Sequence, residues 1–268
     1  MRALFRDLLT HRELLWILVQ RNLKIRYKNS VLGFFWTLLG PIFLILIYWA
    51  FIRLLKIPIR IDALITGIVV WQFIATSMGD SLNAVLGNAN LVTKTAFPRW
   101  LLPLSTVCAN FVNYLLTFLV LLVFLLVRQA HFGPVYLLPL ILLTHFALCL
   151  GLSFFVSSLN VFFRDVEHLM SVILLAWFFL SPVMYTNEYV SQMIHEQEGI
   201  SCSIANLLQA CYLINPMAGI VTSYRSALLS EDLLPLAMFV APFLLSWAML
   251  LTGLAVFQKL EKRFGDEL

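Results

Sequence analysis

Apolar and polar positions in this chain alternate in long blocks rather than short periods. Six uncharged apolar runs stand out, at 31–52, 63–79, 101–127, 135–159, 169–186 and 236–257. A helix rises about 1.5 Å per residue, so runs of this order match a bilayer core of about 30 Å. The pattern predicts an all-α polytopic membrane protein with six transmembrane helices. Ahead of the first run the pattern changes. Leu4, Phe5, Leu8, Leu15, Trp16, Val19 and Leu23 recur at near-helical spacing among Arg2, Arg6, Arg12 and Arg21, as in an amphipathic helix lying in the headgroup plane. A secretory signal is the competing reading of this start. Against it, the apolar stretch Leu14 to Val19 is short, and no small-residue cleavage pattern precedes Arg21 to Lys28. The chain reads as one membrane domain over 1–268, with the amphipathic helix at 1–29, the six-span region at 31–257 and a tail at 258–268.

Composition agrees and narrows the class. Hydrophobic residues make up 61% and charged residues 12%, where a soluble domain carries roughly 25% charged residues. A net charge of +4 could point to nucleic acid, but the basic residues cluster beside apolar runs, the distribution that orients a membrane protein. Nucleic-acid binding is therefore not expected. An even number of spans places both termini on one side. With that side cytoplasmic, thirteen of the 18 Lys and Arg lie inside, and Arg53, Lys56, Arg60, Arg128 and Arg225 lie outside.

Gly199 to Tyr224 is also uncharged but carries Asn206, Gln209, Asn215 and Pro216. Unpaired amides are costly in hydrocarbon, so this stretch reads as re-entrant or interfacial rather than as a seventh span. It holds Cys202 and Cys211, which one continuous helix would set about 13.5 Å apart, so a disulfide there needs a turn between them. No CxxC pair or neighbouring His indicates a metal site. Two short loops pair aromatics with charges: Gly87 to Pro103, with Phe97 beside Lys94 and Arg99, and Leu159 to Leu169, with Phe162 and Phe163 beside Arg164 and Asp165. Such mixed patches suit docking to a partner protein.

Five stretches together carry a resemblance: RNLKIRYKNSVLGFFW from Arg21, the NANLVTKTAFPR loop, LNVFFRDVEHL from Leu159, FFLSPVMY in the fifth run and INPM from Ile214. In this order, over nearly the whole chain, they resemble the membrane subunit of a bacterial ABC-2 type polysaccharide exporter, close to O-antigen and teichoic-acid export permeases. The resemblance implies a homodimer of six-span subunits bound to two ATP-hydrolysing subunits, exporting lipid-linked glycan across the inner membrane. It makes 1–29 an interface helix, 87–100 a coupling helix seated in the ATPase, and 187–230 short external gate helices. ATP and magnesium would then belong to the partner, and no cofactor to this chain. The residues agree in one respect: Lys never follows Gly, so no Gly-rich loop ends in the Gly-Lys that cradles phosphates.

Within this reading Lys94, Phe97, Arg99, Arg164 and Asp165 are the expected coupling contacts. Arg21, Lys24, Arg26 and Lys28 either attract anionic headgroups or contact the pyrophosphate of a lipid-linked substrate. Spans one and five are expected to line the conduit. Phe34, Thr37, Pro41 and Tyr48 share a face of the first, and Trp177, Ser181, Met184, Tyr185 and Glu188 a face of the fifth. An exporter of a drug or small lipid from the same superfamily is the alternative. A membrane-embedded enzyme is less favoured, because its candidate acids and bases, Asp80, His131, His145, Asp165 and His168, offer only Asp165 and His168 at close helical spacing.

Overall fold

The computed structural model describes residues 7, 9–26, 35–55, 60–95, 97–185, 214–230 and 236–267. All regular structure among them is helical: α1 (Arg12–Arg26), α2 (Trp36–Leu55), α3 (Ile61–Leu82), α4 (Ala89–Lys94), α5 (Leu101–Val127), α6 (Leu138–Phe162), α7 (Val166–Leu180), α8 (Pro216–Leu229), α9 (Leu236–Leu260) and α10 (Phe264–Glu267). Each of the six predicted runs is occupied by a helix. Four stretches of the described residues are long and apolar enough to cross a membrane, namely Ile61–Leu82, Leu101–Val127, Val135–Phe162 and Phe239–Arg263. The apolar parts of the first and fifth runs, Leu39–Phe51 and Val166–Leu180, are shorter.

Helix α3 is the centre of the bundle, buried along most of its length and packed by α5, α6 and α8. Its core positions Ile65, Val70, Phe73, Ile74 and Met78 are at most 1% exposed. The most extensive pairing joins α6 and α9. Small residues let these two backbones touch, the usual way membrane helices gain packing where lipid offers no hydrophobic drive. Polar side chains add ties between helices. Ser81 and Ser153 share a hydrogen bond of 2.6 Å, and the Asn160 amide donates to the Leu82 carbonyl at 2.8 Å.

Two ends of the bundle are defined by their contacts. One gathers α1, the end of α3, α4, the start of α5, the end of α6 and the chain after α9. The other gathers the start of α3, the end of α5, the end of α7 and α8. At that second end Arg128, which caps α5, meets Asp62 in the first turn of α3 at 3.3 Å.

The fifth run departs from expectation. A continuous helix over 169–186 would have put Ser181, Met184 and Tyr185 on the face of Trp177, but α7 ends at Leu180. The cause is Pro182, which lacks an N–H and disfavours helical backbone in the residue before it. Ser181 is accordingly extended, at φ −106° and ψ 148°, and 181–185 form a turn. By contrast Pro41 does not interrupt α2.

The stretch read as re-entrant or interfacial contains a helix. In α8, Pro216 opens the first turn and the Asn215 side chain caps it, accepting from the Met217 N–H at 3.0 Å. Its 14 residues span about 21 Å, short of a bilayer core. Nearly every residue after Gly219 is buried, against α9, α3 and α6. The remainder of the expected gate region, including Cys202 and Cys211, lies outside the described residues, as do Lys28 and Phe34.

Candidate functional site

At the first end, α1 lies along the start of α5. Leu18 and Val19 bury one face, while Trp16, Ile17 and Ile25 stay exposed on the other, as suits a helix with bundle on one side and the membrane interface on another. Its polar residues reach inward. Arg21 donates to the Asn88 side-chain carbonyl at 2.6 Å, and Asn22 donates to the Ser105 hydroxyl at 3.3 Å. The Arg26 guanidinium pairs with Asp80 and donates to the Asn110 carbonyl at 2.6 Å, while the Asn110 amide donates to Asp80 at 2.9 Å. Of the four cations expected at headgroups or pyrophosphate, two are thus joined to the bundle, Lys24 is exposed, and Lys28 is outside the described residues.

At the second end two polar residues hold the turn after α7. Asn215 uses its whole amide: the carbonyl accepts from the Trp177 indole N–H at 2.8 Å and from Met217, and the amide donates to the Ser181 hydroxyl at 3.0 Å and the Leu180 carbonyl at 3.2 Å. Arg225, 3% exposed, spreads its fork over three carbonyls, those of Ala63 at 2.9 Å, Tyr185 at 2.7 Å and Val183 at 2.8 Å. Gly67 makes room for this, since a Cβ there would meet the Arg225 guanidinium at 2.8 Å and the Val183 carbonyl closer still. Tyr185 in turn donates its hydroxyl to the Phe179 carbonyl at 2.7 Å. The FFLSPVMY and INPM stretches therefore lie against each other.

Among the expected conduit residues, Trp177 is half-buried, edge-on to Trp71 at 6.0 Å. Ser181 is buried, and Met184, Tyr185 and Tyr48 are half-buried. Thr37 lies on α2, with its side chain outside the described residues. The exposed face of α7 is instead formed by Leu169, Val172, Ile173, Leu175, Phe179 and Leu180.

The coupling candidates divide. Lys94, Arg164 and Asp165 are exposed, and so is Phe163, at 64%. Phe97 packs on the core, and the Arg99 guanidinium donates to the Glu261 carbonyl, tying the loop to the chain after α9. A helix does form in this loop, α4, after a 3-10 turn at Leu86–Asn88. Its residues 89–94 are followed by the half-buried Phe97 and Arg99.

One arrangement was missed in the sequence. On α3, Gln72, Thr76 and Asp80 follow each other at steps of four. On α5, Asn110, Asn113 and Thr117 do so at steps of three and four. Of these, Gln72, Thr76, Asn110, Asn113 and Thr117 line a groove of about 290 Å³ between α2, α3 and α5, together with Arg26 and apolar residues such as Leu44, Ile68 and Phe73. The helical spacing of these amides and hydroxyls was the available signal, but with no charge before Asp80 they did not break the apolar runs.

The candidate acids and bases do not converge. Asp80 is engaged by Arg26, and His145 sits inside the bundle with ring centroids 4.9 Å from Phe73, 5.7 Å from Tyr114 and 5.9 Å from Tyr224. His131 is exposed after α5, and Asp165 and His168 are exposed at the start of α7.

Fold and site define a polytopic helical membrane protein whose polar chemistry is concentrated at its two ends and along one groove. The profile of the ABC-2 type transporter family matches residues 13–195, and the chain belongs to this family of transporter membrane subunits. It is 30% identical over 261 residues to an O-antigen export system permease protein RfbA of Klebsiella pneumoniae, covering 96% of this chain and 95% of that protein. It is 31% identical over 277 residues to the O-antigen export system permease protein RfbA of Myxococcus xanthus, covering the full length of both.

Proposed function

We propose that this chain is the permease subunit of an ATP-driven exporter that moves a lipid-linked polysaccharide, similar to O-antigen, across the bacterial inner membrane. The observation that carries this reading is similarity to O-antigen export permeases over 96 to 100% of the chain. In this reading two copies form the conduit, with six spans each and both termini cytoplasmic. Two ABC ATPase subunits bind at the end that carries α1, and they hold the ATP and magnesium. Of the three described cations in this group, Arg21 and Arg26 are tied to the bundle and Lys24 is exposed, so Lys24 is best placed to meet headgroups or a pyrophosphate. Arg21 and Arg26 would have to share or leave their present partners to do so. Spans one and five remain the proposed conduit wall, with Trp177 and Tyr185 near its far mouth.

The test is surface display of the glycan in cells deleted for the gene and complemented with it, together with recovery of an ATPase when the tagged chain is purified. Glycan display independent of the gene would refute the reading. The loops separate further by substitution. Arg164→Glu, at an exposed position, is expected to lower export at least tenfold while leaving the amount of membrane-inserted protein unchanged, because a reversed charge at a docking surface opposes the partner directly. Arg99→Glu is expected to lower the amount of protein itself, since Arg99 holds the chain's own end. Immunoblots of membranes alongside glycan staining distinguish these outcomes.

A further inference from the structure

Six of the eleven residues at 258–268 are charged, a composition that by itself belongs in water. Yet Phe264 is fully buried, while Lys259, Lys262 and Arg263 around it are exposed. Phe257, Leu260 and Phe264 follow each other at steps of three and four, so the apolar side of α9 continues through the 3-10 turn Glu261–Arg263 into α10.

The groups that cover the Phe264 ring belong to more than one element. The ring is edge-on to Phe257 at 5.4 Å and tilted against Phe162 at 6.0 Å, and Phe257 meets Phe154 at 5.5 Å. The tail is thereby tied to the last residue of α6, directly before the exposed Phe163, Arg164 and Asp165. Helix α10 also packs on α4. One carbonyl completes the joint. That of Glu261 accepts from the Phe264 N–H, which closes the turn, and from the Arg99 guanidinium, which arrives from the loop after α4. A cation near the carbonyl end of a helix is favourably placed. The segment 261–264 therefore joins the Gly87–Pro103 loop to the Leu159–Leu169 loop, two short segments far apart in sequence. A pair of loops held in fixed relation binds one partner at a lower ordering cost than two loops that move independently.

We propose that Phe264 is a positioning residue for ATPase docking: its ring holds the two loops as one preformed platform, so that the partner engages both together. The proposal rests on the reading above in which the ATPase binds at this end, and adds to it that the tail sets the alignment of the loops.

The experiment places the photo-crosslinker benzoylphenylalanine at position 94 or 163, one exposed position in each loop, or as control at position 136, where Tyr136 is 81% exposed at the opposite end. Each is combined with the original Phe264, with Phe264→Ala or with Phe264→Leu, in cells carrying an epitope-tagged copy of the ATPase recovered with the chain. After irradiation the ATPase adduct and the surface glycan are both measured per membrane-inserted chain. With Phe264 in place, adduct is expected at 94 and 163 and none at 136. Phe264→Ala is expected to lower the adduct at both loops, and export, about fivefold per inserted chain. Phe264→Leu, which keeps an apolar branch against Phe162 and Phe257, is expected to stay within twofold of the original. A residue that served only the fold would change the amount of inserted chain and leave the adduct per chain as it was. Unchanged adduct per chain in Phe264→Ala, or a fall at one loop alone, would overturn the positioning role. Should alanine prevent accumulation, Phe264→Val leaves a smaller cavity and the same fall is expected; loss of inserted chain in both would make Phe264 a residue of the fold alone and equally overturn the proposal. Failure of the docking reading looks different: with Phe264 in place no adduct forms at 94 or 163, or as much forms at 136, and the proposal falls with it.

Discussion

Arg225→Met is expected to be among the most destabilising single substitutions in the protein, lowering its stability by about 3–5 kcal/mol. Methionine fills much of the same space, so the loss isolates the fork. Three carbonyls, on Ala63, Val183 and Tyr185, would lose a charged donor together. They come from the start of α3 and from the turn after α7, so one side chain fixes two elements relative to α8. Lysine is expected to recover only part of the effect, because its ammonium is a point charge and cannot reproduce a planar fork aimed at separate acceptors. The measurement is the melting temperature of the detergent-solubilised protein followed by size-exclusion chromatography, with Lys262→Met at an exposed position as control. A melting temperature for Arg225→Met equal to that of the control would show that the three contacts do not hold this end together.

The same residue marks where sequence reasoning stopped. Arg225 was counted with the external cations because a charge between two apolar runs ordinarily faces water. Nothing local to it announces that a carbonyl 162 positions earlier, at Ala63, converges on its guanidinium. What was legible followed from length and polarity. Each apolar run became a helix, because a bilayer requires the backbone to satisfy itself. Asn215 and Pro216, read only as groups costly in hydrocarbon, also open a helix, because cap and proline act within two residues. The end of α7 was legible in principle, from Ser181-Pro182, but the absence of charge through 169–186 favoured a longer helix. The groove was hidden for another reason. Gln72, Thr76, Asn110, Asn113 and Thr117 are too few and too mildly polar to alter the hydropathy of their runs, and only the packing of α3 beside α5 brings their two stripes together. The loop cations show the reverse: Arg99 and Arg164 look equivalent in sequence, and only the contact with Glu261 separates one from the other.

Glycines in the apolar helices offer the second large effect, together with its own control. Gly151 on α6 and Gly253 on α9 lie where the two backbones touch. A Cβ on Gly151 would meet the Met249 carbonyl carbon at 2.5 Å and the Leu250 nitrogen at 2.6 Å. A Cβ on Gly253 would lie 2.9 Å from the Gly151 carbonyl carbon and closer to its oxygen. Main-chain atoms cannot swing aside as a flexible side chain can, so the helices must separate along the most extensive interface of the bundle. Gly151→Ala and Gly253→Ala are each expected to cost at least about 1–3 kcal/mol, and the leucine variants to prevent accumulation of folded protein. Gly79 on α3 also sits in an apolar helix, but a Cβ there would find nothing within 4 Å. There alanine removes only glycine's backbone entropy penalty, worth up to about 1 kcal/mol in the stabilising direction. All three alanine variants change one hydrogen to a methyl. Melting temperatures are expected to fall for Gly151→Ala and Gly253→Ala and to hold or rise for Gly79→Ala. A uniform response across the three would mean that α6 and α9 do not cross at van der Waals contact through these two positions.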